Sequence, residues 1–248
     1  MTGYESIENA LLAEIDGVEL DGLVFCSKAY ALFEAVRSGP DGIARLRKLQ
    51  GKLIDRLTGE LQPLCRYIQQ HYTSGRYMAV KWINGDQPFD AIITQRGSLV
   101  DDRELPAQFH VEVTQAQHPN EYLVGHALEE HGVVYGVEGM TPVKVAGRMS
   151  VQTMPVGHMG QGHINDFEGF LTQAIAKKTG KEPPYPAQST LIVVCRLNST
   201  YYPDEWETLL ERVRPKITFG PFREIYVYDA RTHMDRLFTP SWIGNEAV

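Results

Sequence analysis

Two carboxylate residues, Asp90 and Glu112, stand in otherwise apolar stretches of the chain. Three apolar residues follow Asp90, and Glu112 has a valine on each side. An ionised carboxylate in a mostly buried strand needs a cation, a metal or an open cleft, because its desolvation otherwise costs several kcal/mol. Two such groups, together with a backbone carbonyl and waters, would offer the oxygen ligands that Mg²⁺ (or Mn²⁺) accepts. A metal held in this way activates water for attack on a phosphodiester.

The segments around these carboxylates predict the elements that must position them. Residues 77–83 and 89–95 are typical of two strands of a hairpin, and residues 109–114 predict a third strand. If neighbouring strands carry Asp90 and Glu112, the two side chains can meet on one face of a sheet. Downstream segments alternate between helix patterns (120–131, 164–178 and 205–213) and strand patterns (191–197 and 225–228). This alternation predicts an α/β fold with a mixed sheet and helices packed against it.

The first 74 residues have a different pattern, which predicts a helical region. Residues 5–15 and 23–36 indicate two helices, and apolar residues at steps of three and four over 43–72 predict one long amphipathic helix. We expect that helix to bend at Gly59 or Pro63. The predicted organisation is therefore an N-terminal helical region, residues 1–74, followed by an α/β core, residues 75–248.

The motif Pro88-Phe89-Asp90, followed 22 positions later by Glu112 within Val-Glu-Val-Thr, resembles the PD-(D/E)xK nuclease superfamily. The resemblance extends from residue 77 to about residue 228. It implies a restriction-endonuclease-like fold, a mixed β-sheet flanked by helices, preceded here by the N-terminal helical extension. It further implies that Asp90 and Glu112 are the first and second metal-binding carboxylates of a nuclease that acts on nucleic acid, in a context such as bacterial defence. DNA is the favoured substrate, and the sequence itself does not distinguish DNA from RNA.

The chain departs from the family pattern at the position of the motif lysine, which is Thr114 and is followed by Gln115. A threonine cannot supply the positive charge that stabilises the attacking hydroxide and the developing phosphorane. Some members of the superfamily place the lysine elsewhere in the chain, so Lys81, Lys177 or Lys178 could reach the site. Gln115 could orient a water. A catalytically degenerate protein that binds nucleic acid or a protein partner is the alternative.

An acidic residue on the helix before the hairpin is a further feature that the resemblance implies. Glu60 is the candidate by position, which would make it a third metal ligand. A solvated position on the helix surface is the alternative interpretation of the same residue.

Four basic residues follow one another at steps of three, four and four: Arg45, Lys48, Lys52 and Arg56. Residues 43–72 carry six basic and two acidic side chains, although the whole chain has a net charge of -7. An acidic protein that binds nucleic acid must concentrate positive charge locally, because phosphate neutralisation provides most nonspecific affinity. The four residues are therefore candidates for phosphate contacts, and a solubilising helix face is the alternative.

The composition restricts the classes of protein to which the chain can belong. With 43% hydrophobic and 22% charged residues, it is typical of a globular domain and not of a disordered chain. Apolar runs are far shorter than the roughly 18 residues of a membrane span, and residues 1–8 are acidic, unlike the start of a signal peptide. We therefore expect a cytoplasmic protein with no membrane partner. Its oligomeric state, including a homodimer, is left open by the sequence.

Overall fold

The computed structural model of the protein describes residues 3–49, 51–145, 147–157, 161–182, 184–197, 202–232 and 234–240. Two sheets occur in these residues, a seven-stranded sheet and a two-stranded hairpin. The strands are β1 (Glu19–Asp21), β2 (Tyr77–Trp82), β3 (Ala91–Arg96), β4 (Gln108–Ala116), β5 (Met140–Val145), β6 (Arg148–Thr153), β7 (Ser189–Cys195), β8 (Phe222–Asp229) and β9 (Asp235–Phe238).

The large sheet is mixed, in the order β1-β2-β3-β4-β7-β8-β9. Strands β4, β7 and β8 are parallel to one another, and the remaining neighbours pair in antiparallel fashion. All seven residues of β7 are buried, as expected for a central parallel strand that is covered on both faces. The predicted α/β class with a mixed sheet and flanking helices is thereby confirmed.

Helices cover both faces of this sheet. They are α1 (Gly3–Ala13), α2 (Gly22–Ser38), α3 (Gly42–Lys48), α4 (Lys52–Arg56), α5 (Gln62–His71), α6 (Ser98–Asp101), α7 (Val124–His131), α8 (Gly162–Thr179) and α9 (Pro203–Val213). Alternate residues of β7 enter two separate cores, because successive side chains of a strand point to opposite faces. Ile192 and Val194 pack with α2 and α5, whereas Leu191 and Val193 pack with α8 and α9. No helix in the described ranges has both the length and the apolar character needed to cross a bilayer.

The prediction of one long helix over residues 43–72 is wrong. Helix α3 ends at Lys48. The next residue, Leu49, has φ 50°, and Gly51 has φ 100° immediately before α4. A π-helical turn, Leu57–Leu61, then joins α4 to α5 and contains Gly59, one of the two predicted bend sites. Pro63 lies in the first turn of α5, directly after that π-helical turn.

Four strands were absent from the sequence-based prediction: β1, β5, β6 and β9. Strand β1 lies within residues 1–74, pairs with β2, and is too short to produce a periodic signal. The β5–β6 hairpin turns at Gly147, whose φ is 80°. Strand β9 closes the far edge of the large sheet against β8. The N-terminal region is therefore not wholly helical.

Candidate active site

The antiparallel pairing of β3 with β4 brings Asp90 and Glu112 together. Ala91 is paired with Val111, and continuing this register by one residue places Asp90 opposite Glu112. The Asp90 N–H donates to the Val111 carbonyl at 2.8 Å. In return, Asp90 Oδ2 accepts the Val113 N–H at 2.7 Å. Backbone pairing between β3 and β4 thus holds the two carboxylates predicted from the sequence next to each other.

Lys178 reaches this pair from the last turn of α8. Its Nζ lies 2.5 Å from Glu112 Oε1, and the Glu112 side chain is only 10% exposed. Tyr185 donates its hydroxyl proton to the same Oε1 at 3.0 Å. The structure therefore brings Lys178 to the carboxylates. Tyr185 was missed by sequence reasoning, because a tyrosine in a proline-containing loop carries no signal for this contact.

Lys81, another of the three lysines proposed as substitutes, forms no ion pair with Asp90 or Glu112 among the described residues. It lies on β2, where it is paired with Ile92 of β3, so a whole strand separates it from Glu112. Within the part of the chain that the structure describes, Lys81 forms no ion pair. Lys177 is exposed beside Lys178. Of the three lysines, Lys178 alone is engaged with Glu112.

Glu60 lies on the π-helical turn and is not solvated, so the surface interpretation is wrong. Its side chain is 13% exposed and pairs with Arg56 through Oε1. Its Oε2 accepts the Trp82 indole N–H at 2.9 Å. No three His, Cys, Asp or Glu side chains among the described residues are grouped closely enough to hold a metal by themselves. Glu60 is therefore not arranged as a third ligand beside Asp90 and Glu112.

Gln115 packs against the same π-helical turn. A Cβ atom at Gly59 would lie 3.0 Å from Gln115 Nε2, so the absence of a side chain at Gly59 makes room for this amide. Strand alternation places Gln115 on the opposite face of β4 from Glu112. This placement does not favour the predicted role of Gln115 in orienting a water beside Glu112.

The neighbouring carboxylates raise the affinity of Asp90 for a proton. The pKa of Asp90 is raised to about 7, first by burial and then by the charges of Glu112 and Glu60, against the opposing effects of the Val113 N–H and Lys178. Among the described residues, Asp90 Oδ1 receives no hydrogen bond. An excess of buried negative charge with an unoccupied carboxylate oxygen fits a divalent cation held by Asp90, Glu112, a backbone carbonyl and waters.

The raised pKa of Asp90 predicts a pH dependence of stability in metal-free protein. Because the folded state holds the Asp90 proton up to about pH 7 and the unfolded state loses it near pH 4, ionisation opposes folding as the pH rises. We expect the free energy of unfolding to fall by about 3 kcal/mol more in the wild type than in Asp90→Asn between pH 5 and pH 8. Urea unfolding of both proteins in EDTA measures this difference in the free energy of unfolding. Parallel pH profiles for the wild type and Asp90→Asn would contradict the prediction.

The four basic residues do not form a continuous helical stripe, which corrects that prediction. Arg45 and Lys48 lie on α3, whereas Lys52 and Arg56 lie on α4. Arg45 pairs with Glu8, Lys48 with Glu129, and Arg56 with Glu60. Lys52 is exposed and has no ion pair in the described ranges. Contact of these side chains with nucleic acid stays a prediction. Lys52 is the one of the four whose charge is not used in an ion pair within the described ranges.

Arg45 is expected to stabilise the fold. Its two terminal nitrogens contact the two Glu8 oxygens at 2.8 and 3.1 Å, and the Glu8 side chain is 5% exposed. Arg45→Gln leaves a buried carboxylate unpaired and should lower the free energy of unfolding by about 2 kcal/mol, with partial recovery on adding Glu8→Gln. Lys52→Gln should change it by less than about 0.5 kcal/mol. Equal values for the two single variants in urea unfolding would refute this role.

No family model, curated protein or solved structure significantly matches this chain.

Proposed function

We propose that the protein is a metal-dependent nuclease with a restriction-endonuclease-like fold, which hydrolyses phosphodiester bonds of nucleic acid, DNA in preference to RNA. One observation carries the proposal: Asp90, immediately before β3, lies opposite Glu112 on β4, and the ammonium group of Lys178 contacts Glu112. Mg²⁺ or Mn²⁺ is the cofactor that this set of oxygen ligands suits.

The chain topology supports the same proposal. An antiparallel meander, β2-β3-β4, carries the carboxylates, and the chain then passes through α8 to β7, parallel to β4. In this sheet, Lys178 in the last turn of α8 contacts Glu112 of the meander. The lysine that the motif lacks at Thr114 is thereby replaced, in our proposal, by one from α8.

Each residue of the candidate site has a separate role in the proposed reaction. Asp90 and Glu112 would hold the metal, which when bound lowers the pKa of a water and stabilises charge on the scissile phosphate. The ammonium of Lys178 lies where it can stabilise negative charge that develops on the phosphorane. Tyr185 and Lys178 both donate to Glu112 Oε1 and so fix the orientation of that carboxylate.

A second candidate function, binding without catalysis, is favoured by the partners that these carboxylates already have. Glu112 is paired with Lys178 and Tyr185, and Glu60 with Arg56 and Trp82. Such pairs can stabilise a fold with no metal. In that case the protein would bind nucleic acid or another protein without cleaving it.

A cleavage assay distinguishes the two functions. The full chain is incubated with supercoiled plasmid, linear duplex and single-stranded RNA in Mg²⁺, Mn²⁺ or EDTA, and Mn²⁺ binding is measured by calorimetry. Cleavage that needs Mg²⁺ or Mn²⁺ supports the nuclease. Nucleic-acid binding that is equal in EDTA and Mg²⁺, with no Mn²⁺ binding and no cleavage, supports the binding protein and overturns our proposal.

A further inference from the structure

A polar cavity, separate from Asp90 and Glu112, lies where α5 meets the ends of the parallel strands. Its volume is about 420 Å³, within the range of small-molecule sites. Its charged lining residues are three arginines and one glutamate, namely Arg66, Arg196, Arg231 and Glu121. Its polar lining also includes Tyr30, Thr58, Gln62 and Tyr228. We call this the arginine cavity. Its charged lining is predominantly positive, in contrast to the acidic protein as a whole.

Arg196 is the unusual member of this lining. Its Nε is fully buried without a hydrogen-bond partner. Its guanidinium forms no ion pair or hydrogen bond with any residue in the described ranges. Burial lowers the pKa of Arg196, partly offset by Glu121, and the neighbouring Arg231 lowers it further. A half-buried guanidinium whose inner nitrogen has no hydrogen-bond partner is unfavourable, so the site lacks a negative partner.

The other charges of the arginine cavity do not supply that partner. Glu121 is committed to Arg231, whose Nη2 lies 2.9 Å from Glu121 Oε1. Arg66 pairs with Asp235 at 3.0 Å. The Arg196 guanidinium therefore faces a cavity with additional positive charge and with hydroxyl and amide groups from Thr58 and Gln62.

We propose that the arginine cavity binds the phosphate group of a nucleotide-sized phosphomonoester, with Arg196 as its principal anion ligand. Planar guanidinium groups match phosphate oxygens in charge and geometry. The volume admits a phosphate with an attached sugar and base. Two sources share this chemistry, a free mononucleotide and the terminal phosphate of a nucleic-acid strand.

The arginine cavity shares elements with the candidate active site but lies on the opposite face of the sheet from Glu112. Thr58 and Gln62 flank Glu60 along one helical segment, and Val194 of the cavity wall is paired with Gln115 of β4. Binding of a free mononucleotide does not rest on the proposed nuclease function. Binding of a strand end rests on that function and adds a substrate contact to it.

The test measures binding by calorimetry in EDTA, so that its outcome is independent of cleavage. The probes are thymidine 5′-monophosphate and a short single-stranded oligonucleotide with either a 5′-phosphate or a 5′-hydroxyl. We expect Arg196→Met to weaken monophosphate binding at least tenfold, because it removes the charge and keeps the apolar stem. We also expect its ligand-free melting temperature to equal or exceed that of the wild type. Arg96→Met, at the exposed far end of β3, is the matched control and should bind as the wild type does.

Each result decides the proposal or the source of the phosphate. Tighter binding of the 5′-phosphorylated oligonucleotide than of its hydroxyl form assigns a strand end, and binding of the monophosphate alone assigns a free nucleotide. Wild-type protein that binds neither phosphorylated probe overturns the proposal, as does an Arg196→Met variant with wild-type affinity. If Arg196→Met does not fold, Arg196→Gln is measured in the same way and decides by the same criteria.

Discussion

Asp90→Asn and Glu112→Gln should each reduce Mg²⁺-dependent cleavage by roughly 1000-fold or more, equivalent to about 4 kcal/mol of transition-state stabilisation. Each change keeps the shape of the side chain and removes the negative charge that would hold the metal. Initial rates on a linear duplex, with Mn²⁺ affinity from calorimetry, measure the effect. Loss of cleavage and loss of Mn²⁺ affinity should occur together.

Matched controls separate this effect from a general loss of acidic charge. Asp101→Asn and Glu104→Gln make the same changes at exposed positions and should leave the rate unchanged. The melting temperature of metal-free Asp90→Asn should be no lower than that of the wild type, because burial and neighbouring carboxylates disfavour the ionised form of Asp90. A fully active Asp90 or Glu112 variant would show that the chemistry lies elsewhere.

The second large effect is expected at Lys178. Lys178→Met should lower the cleavage rate roughly 100-fold, because it removes the cation that contacts Glu112, while Mn²⁺ binding should persist. Removing a positive charge beside the carboxylates should, if anything, strengthen cation binding. Lys178→Arg should retain part of the activity, since it keeps the charge with a different geometry. Single-turnover rates at saturating Mg²⁺ measure these effects.

Neighbouring lysines provide the controls for this prediction. Lys177→Met removes a charge one residue away at an exposed position, and Lys81→Met removes the charge that lies on β2. Both should cleave at nearly the wild-type rate. If Lys81→Met is the slow variant and Lys178→Met is not, the substitute cation has been assigned to the wrong element.

The carboxylate pair could be predicted from the sequence because charge is rare in apolar strands. Asp90 and Glu112 each stand out in an apolar strand pattern, and β3 and β4 were predicted within a few residues of their observed ends, although β3 begins one residue after Asp90. The contact of Lys178 could only be proposed as one of several, because it depends on how α8 crosses the sheet. No local pattern encodes that crossing, which joins residues 66 positions apart.

The charge partners of the basic residues could not be predicted for a similar reason. The spacing of Arg45, Lys48, Lys52 and Arg56 is helical, yet their acidic partners include Glu8 and Glu129, which belong to other helices. The break between α3 and α4 depends on the positive φ of Leu49, a conformation that sequence pattern does not predict for a leucine. The arginine cavity likewise joins segments that are distant in sequence.

The position of β7 in the sheet has a consequence for the protein during its synthesis. Its partner β4 is complete at residue 116, but residues 117–188 must be made before the first residue of β7 exists. Until then, the edge of β4 that β7 will cover lacks its permanent hydrogen-bond partner, and open strand edges of this kind promote association between nascent chains. Polypeptides truncated within residues 117–188 are therefore expected to aggregate, and chaperone dependence should decline once the ribosome has released β7.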